Sequence, residues 1–430
     1  MPYLFVGAGQ AGSSIVDEIF AHKNMDEIAT HLVFNSTVRD LRKLTNIDRN
    51  SWYGIAEGTG LVPGTTDGFE EQVTGGFGRN PVRADEVLAD NRAALDNTLY
   101  DELTERVEID EGTASTASDN AEAGAETTAT ESVVETEETN VPFAFVFCGL
   151  GGGTGCGITA HLIDAIDEYT NGTCKTIAVC VLPNTQGPVG TVDDESDEGA
   201  SPSRQAWNAR YGLNQIEQVA DGIILVDNER LSYHEAAEGQ FTDLNEYVAS
   251  AIVSLISGTV LERIDRSEYD VDPPIIDIQD IVTSLSFGLG EDTETGYASM
   301  GRSVEMTKSL AGYLLPFIGQ NKIDATALSQ VAELKQTVAD VDTREARKAV
   351  GLLRAPSTYI ADTDYQIQTS TLRSFLHARC DEVNLGATLT NRSLVSFTTL
   401  FTYRREDLER LAELETLAEE YETESDAVIA

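Results

Sequence analysis

The chain has 430 residues, 41% of them hydrophobic, and its 73 acidic against 29 basic side chains give a formal net charge of −44. That charge repels nucleic-acid phosphates and anionic lipid alike, which argues against nucleic acid and membrane-surface partners. No apolar run reaches the ~18 residues of a membrane span, so direct membrane insertion is not expected either.

The length allows two or three domains. Acidity of this kind fits either a disordered chain or a folded one with a solvating acidic surface. Apolar periodicity along most of the sequence favours the second, and the scarcity of Lys suits a halophilic cytoplasm in which salt screens dense surface charge. Cys148, Cys156, Cys174, Cys180 and Cys380 show no CxxC spacing and read as reduced thiols, which again suits a cytoplasmic location.

In chain order, YLFV (Tyr3 to Val6) predicts a short strand, GAGQAG a glycine turn, and SSIVDEIFAHK a helix opened by serines suited to capping. HLVFN predicts a second strand ending at Asn35, and FAFVFC, TIAVCVL and GIILVD three more, each followed by a turn and a helical stretch. Strands alternating with helices imply an α/β fold with a Rossmann-like parallel sheet covered on both faces. Residues 108–140 are Ala, Thr, Ser, Glu and Gly with almost no large apolar side chain, and residues 193–203 are acidic. Both segments predict surface loops without fixed structure.

The run FTDLNEYVASAIVSLISGTVLERIDR places Leu244, Val248, Ile252, Leu255, Ile256, Val260 and Ile264 at helical spacing. It predicts one helix of about 24 residues, roughly 36 Å long, which the prolines of VDPPII terminate. Beyond it, helices are expected at Ser303 to Leu315 and Ala325 to Thr337, strands in AVGLLR, EVNLGATLT and LVSFTTLFTY, and an acidic terminal helix fraying near Ser425. The resulting division is a nucleotide-binding domain over 1–240, a central helix over 241–266, a smaller α/β domain over 267–406 and an acidic helical tail over 407–430.

GAGQAG matches a dinucleotide-binding fingerprint, but the second strand ends in Asn35, Ser36 and Thr37 with no acid to hold a ribose, which counts against an NAD-dependent oxidoreductase. The more telling feature is GGGTGCG, Gly151 to Gly157, between a later strand and helix. Five glycines in seven residues exceed what a tight turn needs, and no Lys follows as in a Walker-type loop. Two such loops at the carboxyl ends of parallel strands can cradle one chain of phosphates with backbone N–H groups and helix dipoles.

GGGTGCG closely resembles the GGGTGTG or GGGTGSG signature of the tubulin/FtsZ superfamily. Further motifs are similar in the same order: GAGQAG to the first nucleotide loop, VFNSTVRDL to the second, GGFGRNP to the γ-phosphate-sensing third, DNE (Asp227 to Glu229) to the base-contacting turn, and FTDLNEYVASAIVSL to the central helix. The resemblance implies GTP/GDP as ligand with Mg2+ as its companion, and no dedicated protein metal site. On the matching positions it implies nucleotide contacts from Gly9, Gln10, Ala11, Gly12, Ser14, Asn35, Gly76, Arg79, Asn80, Gly151, Gly152, Gly153, Thr154, Gly155, Arg204, Asn208 and Asn228, with Tyr211 stacking on the base.

In this superfamily a neighbouring subunit completes the site with an acidic loop. IIDIQDIV resembles that loop, which makes Asp277 and Asp280 the catalytic candidates, with Ile275 where the family has Asn. Ser13 and Ser14 likewise replace an Asn pair, and Thr37 an acidic residue. The resemblance therefore implies a GTPase that assembles head to tail with itself and works with division or shape-control proteins. The alternative is a filament regulator of the same fold with little or no hydrolysis.

Overall fold

The computed structural model describes residues 3–73, 75–108, 134–138, 141–185, 201–229, 240–260, 278–288, 290, 293–308, 320–361 and 364–429. The first half contains β1 (Tyr3–Ala8), α1 (Gly9–Phe20), β2 (Ala29–Asn35), α2 (Val38–Leu41), β3 (Trp52–Ala56), β4 (Gly60–Pro63), α3 (Phe69–Gln72), α4 (Pro81–Asp90), α5 (Arg92–Leu103), β5 (Thr104–Glu108), β6 (Val134–Glu138), β7 (Phe143–Gly149), α6 (Thr154–Tyr169), β8 (Lys175–Leu182), α7 (Pro202–Ile216) and β9 (Gly222–Asp227). The second half contains α8 (Gln240–Val260), α9 (Ile278–Ser284), β10 (Ser286–Phe287), β11 (Glu294–Thr295), β12 (Tyr297–Met306), α10 (Ala325–Leu334), β13 (Lys348–Ala355), α11 (Ser357–Ala361), α12 (Thr369–His377), β14 (Glu382–Leu389), β15 (Leu394–Tyr403) and α13 (Glu409–Ile429).

Eleven strands form one sheet in the order β14-β13-β15-β12-β9-β8-β7-β1-β2-β3-β4. From β3 to β9 the neighbours β3, β2, β1, β7, β8 and β9 are all parallel. That is a doubly wound order whose direction of winding reverses between β1 and β7, and such sheets bind ligands outside the strand carboxyl ends at the reversal. β12 continues the sheet by pairing parallel to β9 at Tyr297–Ser299 and antiparallel to β15 along its whole length.

Helices cover both faces, so central strands are apolar on alternate residues of both kinds. In β7, Ala144, Val146 and Cys148 join the core under α4 to α7, while Phe145 and Phe147 join the core under α1, α8 and α9. This is why FAFVFC reads as an unbroken apolar run. α8 lays Val248, Ala249, Ile252, Leu255 and Ile256 into that second core, and its 21 residues span about 31 Å. Among the described residues no helix is long and apolar enough to cross a membrane.

Several elements differ from expectation. Ser303 lies in a strand, since Tyr297 to Met306 pair with β15; the remainder of the helix expected to Leu315, from residue 309 on, lies outside the described residues. Burial of Ala298, Ser299, Met300 and Ser303 comes from long-range pairing that local periodicity does not carry. The insertion expected to lack structure contains β6, which pairs with β5 in an antiparallel ribbon. Helix α1 begins at Gly9, four residues before the serines thought to cap it, and α13 runs past Ser425 to Ile429. Pro202 and Ser203, placed in a loop, begin α7 because the Ser201 hydroxyl accepts from the Arg204 N–H at 3.2 Å.

Candidate nucleotide site

The winding reversal puts the first turns of α1 and α6 side by side. Ala8 and Gly153 precede these helices, and no side chain caps either start, so the first backbone N–H groups are left for another acceptor. Gly9 takes a left-handed φ of 70°, and a Cβ there would lie 3.0 Å from the Gly155 nitrogen. The two glycine loops therefore touch through bare backbone.

Two further loops close on this pair. The Ser36 and Thr154 hydroxyls share a hydrogen bond at 2.6 Å, which ties the end of β2 to the start of α6. Gly76 faces Ser36 and Thr37, and a Cβ on Gly153 would lie 2.7 Å from the Asn80 nitrogen, so the loop before α4 packs backbone against backbone on the glycine turn. From α7, Asn208 Nδ2 donates to the Arg79 carbonyl at 3.1 Å and to the Gly151 carbonyl at 3.2 Å. Arg204 Nη2 donates to the Gly78 carbonyl at 3.0 Å. These two side chains thus hold loops in place, one of them by joining the third loop to the fourth.

Among the described residues, three buried carboxamide atoms at the ends of β2 and β9 and on α7 have no partner. Asn35 spends Oδ1 on the Thr37 N–H and hydroxyl, both at 3.3 Å, while its Nδ2 is unmatched; Asn208 Oδ1 and Asn228 Oδ1 are unmatched as well. A buried polar atom left alone costs roughly 1–3 kcal/mol. A donor and two acceptors beside two open helix starts suit a ligand carrying both phosphates and a hydrogen-bonding base or sugar.

Against known proteins, a profile of the Tubulin/FtsZ family, GTPase domain, matches residues 112–234. Over that stretch the chain is similar to the tubulin/FtsZ GTPase domain. The similarity is distant: the Tubulin-like protein CetZ of Thermococcus kodakarensis is 27% identical over 309 residues, 70% of this chain and 60% of that protein. Cell division protein FtsZ 1 of Archaeoglobus fulgidus is 40% identical over 87 residues, 20% of this chain and 19% of that protein, so this chain aligns with about a fifth of that relative's length. Among solved structures, CetZ1 from Haloferax volcanii as a GDP-bound monomer superposes with a TM-score of 0.64 at 18% identity, covering 98% of this chain and 100% of that one. CetZ2 from the same organism, in a GTPγS-bound protofilament, gives 0.62 at 17% identity, covering 97% and 100%. At these identities the superpositions speak for the fold alone.

The expected nucleotide contacts divide into groups. Gly9, Gly151, Gly152, Gly153, Thr154 and Gly155 line the junction of the two glycine loops, with Gln10 exposed and Ala11 and Ser14 half-buried on the first turns of α1. Gly12 is placed for packing, since a Cβ on it would reach to 2.0 Å from the Phe147 carbonyl. Asn80 caps α4 by accepting from the Val82 N–H at 3.1 Å, and Arg79 sits in the loop with a φ of 59°.

Tyr211 is not arranged to stack on a base. Its ring stacks on Trp207 with centroids 5.6 Å apart, and its hydroxyl donates to Asp85 at 2.7 Å, while His161 Nε2 meets the other Asp85 oxygen at 2.6 Å. Burial first, and then the Asp85 hydrogen bond, pushes the Tyr211 hydroxyl up to about 12. Its partners lie among α4, α6 and α7, one turn beyond Asn208, and they claim the ring.

Asp280 sits half-buried in the first turn of α9, and Asp277 lies outside the described residues. α9 is anchored near the amino end of β13, where Lys348 Nζ donates to the Thr283 carbonyl at 3.1 Å. β13, β12 and β9 start at one edge of the sheet, whereas Asn228 follows the far end of β9. Six residues of strand, about 20 Å, separate the two edges. Among the described residues no group of three or more His, Cys, Asp or Glu side chains could hold a metal ion. Asp40, the acid nearest Thr37, is engaged by the Thr37 hydroxyl at 2.8 Å and by Lys43 at 3.1 Å.

Sequence reasoning passed over Arg410. This buried side chain of α13 donates through Nε to Asp227 Oδ2 at 3.0 Å, through Nη1 to the Thr185 hydroxyl at 2.9 Å and through Nη2 to the Pro183 carbonyl at 2.8 Å, and Nη2 lies 2.7 Å from Glu229 Oε2. Burial raises the pKa of both Asp227 and Glu229 despite the opposing guanidinium. The only sequence signal is a cation inside an acid-rich helix, 183 residues from Asp227.

Proposed function

We propose that this chain binds GTP and GDP in the cleft between α1 and α6, assembles head to tail with copies of itself, and hydrolyses GTP where one copy meets the next, in cell-shape control or cell division. The observation that carries the nucleotide reading is the meeting of two uncapped helix starts with the unmatched amide atoms of Asn35, Asn208 and Asn228. Phosphates would take the backbone N–H groups from Gly9 to Gly12 and from Gly151 to Gly155, and Asn228 Oδ1 would accept from the guanine edge. Magnesium would enter with the nucleotide, held chiefly by phosphate oxygens, and we assign it no step.

Head-to-tail assembly is favoured because Asp280 and the cleft occupy opposite sheet edges, so only a second copy can bring them together; a contact of that kind repeats into an open filament. The GTPγS-bound protofilament of Haloferax volcanii CetZ2 offers a precedent in fold. Asp277 and Asp280 would orient the attacking water. The substitution of Ile275 favours a second reading, a filament regulator with little turnover. Neither reading needs a membrane, and both suit a cytoplasm rich in salt, which screens the −44 charge.

Sedimentation in molar KCl with GTP, GDP or ATP, followed by electron microscopy of the pellet, tests base choice and assembly together. Filaments with GTP but not ATP are expected, and no nucleotide-dependent pellet at any salt would refute the proposal. Phosphate release rising more steeply than linearly with protein concentration, and lost in Asp277→Ala and Asp280→Ala, separates the enzyme from the regulator.

A further inference from the structure

Asp227 is the last residue of β9, Asn228 stands in the turn that follows, and Glu229 comes directly after it. Arg410 takes the two outer residues of the three: its Nε lies 3.0 Å from Asp227 Oδ2 and its Nη2 lies 2.7 Å from Glu229 Oε2. Asp227 Oδ1 also accepts the Glu229 N–H at 2.9 Å, which closes the turn. With both neighbours clamped, the backbone that carries Asn228 is fixed, and Asn228 Oδ1 is buried without a partner among the described residues. The same guanidinium fixes the end of β8 through the Pro183 carbonyl and the Thr185 hydroxyl.

We infer that Arg410 is a positioning residue for base recognition, and that the C-terminal helix α13 is thereby part of the nucleotide site. The inference rests on the GTP-binding reading above and adds a specificity determinant to it. A guanidinium fork suits the task because it can serve two carboxylates, a carbonyl and a hydroxyl at fixed angles, which an ammonium cannot. α13 is held in register beyond this point by α7. Arg210 pairs with Glu415 at 3.2 Å and with Glu422, the Trp207 indole N–H donates to Glu422 at 3.1 Å, and Tyr421 packs on Trp207 with centroids 6.0 Å apart. Because Arg204 and Asn208 of α7 hold the third loop, one terminal helix braces both the base turn and the loop beside the phosphates.

The experiment is a calorimetric titration of the full-length chain with GTP and, by competition, ATP in molar KCl, for the unmodified protein, Arg410→Lys and Arg410→Gln, with thermal unfolding of each. Arg410→Lys keeps the charge between the two carboxylates and serves if Arg410→Gln does not fold. The expected result is that GTP affinity falls roughly tenfold or more in Arg410→Lys while ATP affinity stays within about twofold, as for one misplaced buried hydrogen bond to the base. Hydrogen exchange should also show GTP protecting the first turn of α13 in the unmodified protein and not in the variant. A variant with a lowered unfolding temperature but an unchanged GTP-to-ATP ratio overturns the inference and leaves GTP binding standing. An unmodified protein that binds neither nucleotide overturns both.

Discussion

Gly152 and Gly153 are adjacent in the glycine turn, yet a methyl group at each meets different surroundings. At Gly153 the added Cβ lies 2.7 Å from the Asn80 nitrogen and 3.0 Å from the Arg79 carbonyl carbon, where ordinary contact begins at 3.4 Å. Both neighbours are backbone, so in Gly153→Ala the third and fourth loops must part by about 0.7 Å. Overpacking of that kind costs about 1–3 kcal/mol. At Gly152 the Cβ meets nothing within 4 Å, so Gly152→Ala should leave the free protein unchanged or stabilise it by about 0.4–1 kcal/mol through the unfolded chain. If that open space seats phosphate, Gly152→Ala nevertheless loses roughly tenfold in GDP affinity, and Gly153→Ala about ten- to a hundredfold, as one or two charge-assisted bonds are displaced. The assay pairs urea unfolding without nucleotide with calorimetric GDP binding, both in molar KCl. Gly152→Ala binding GDP as well as the unmodified chain, together with undiminished affinity in Gly153→Ala, would refute the assignment of this turn to phosphate.

Asn208→Ala removes the donor shared by the Arg79 and Gly151 carbonyls. Urea unfolding should show a loss of about 1–3 kcal/mol, accompanied by weaker GDP binding; a stability loss with unaltered GDP affinity would mean that joining the two loops does not matter to the ligand. Tyr211 supplies a test of sign. Its folded-state pKa of about 12 stands above the unfolded value, so the hydroxyl stabilises the fold fully below about pH 10 and that share is lost as pH rises towards 12. Absorbance titration at alkaline pH should show, among the late-ionising tyrosines, a step near pH 12 that disappears in Tyr211→Phe and comes earlier in Asp85→Asn. An unchanged titration in Asp85→Asn would remove the proposed tie to α4.

Where chemistry is local, the residues announce it. GLGGGTGCG declares bare backbone because no side chain fits where Gly153 meets Asn80, and that constraint is written in the glycines themselves. FAFVFC declares a strand buried on both faces for an equally local reason, since every position must be apolar when helices cover both sides. Asn35 and Asn228 were legible as candidates because one ends β2 and the other directly follows β9. Ser303 misled, since Tyr297 to Met306 become a strand only when β15 supplies a partner almost a hundred residues away along the chain. Tyr211 misled as well, for its ring is directed by Asp85 and Trp207, one of them on another helix.

The sequence by itself determined the alternation of strand and helix, the positions of the glycine loops and the family that its motifs resemble, because those depend on what each residue's own backbone and side chain permit. Only the tertiary structure decided which carboxamides are left with unmatched atoms, that one sheet spans both halves, and that Arg410 grips the turn carrying Asn228. Those outcomes depend on distances between residues far apart in the chain, and folding alone sets them.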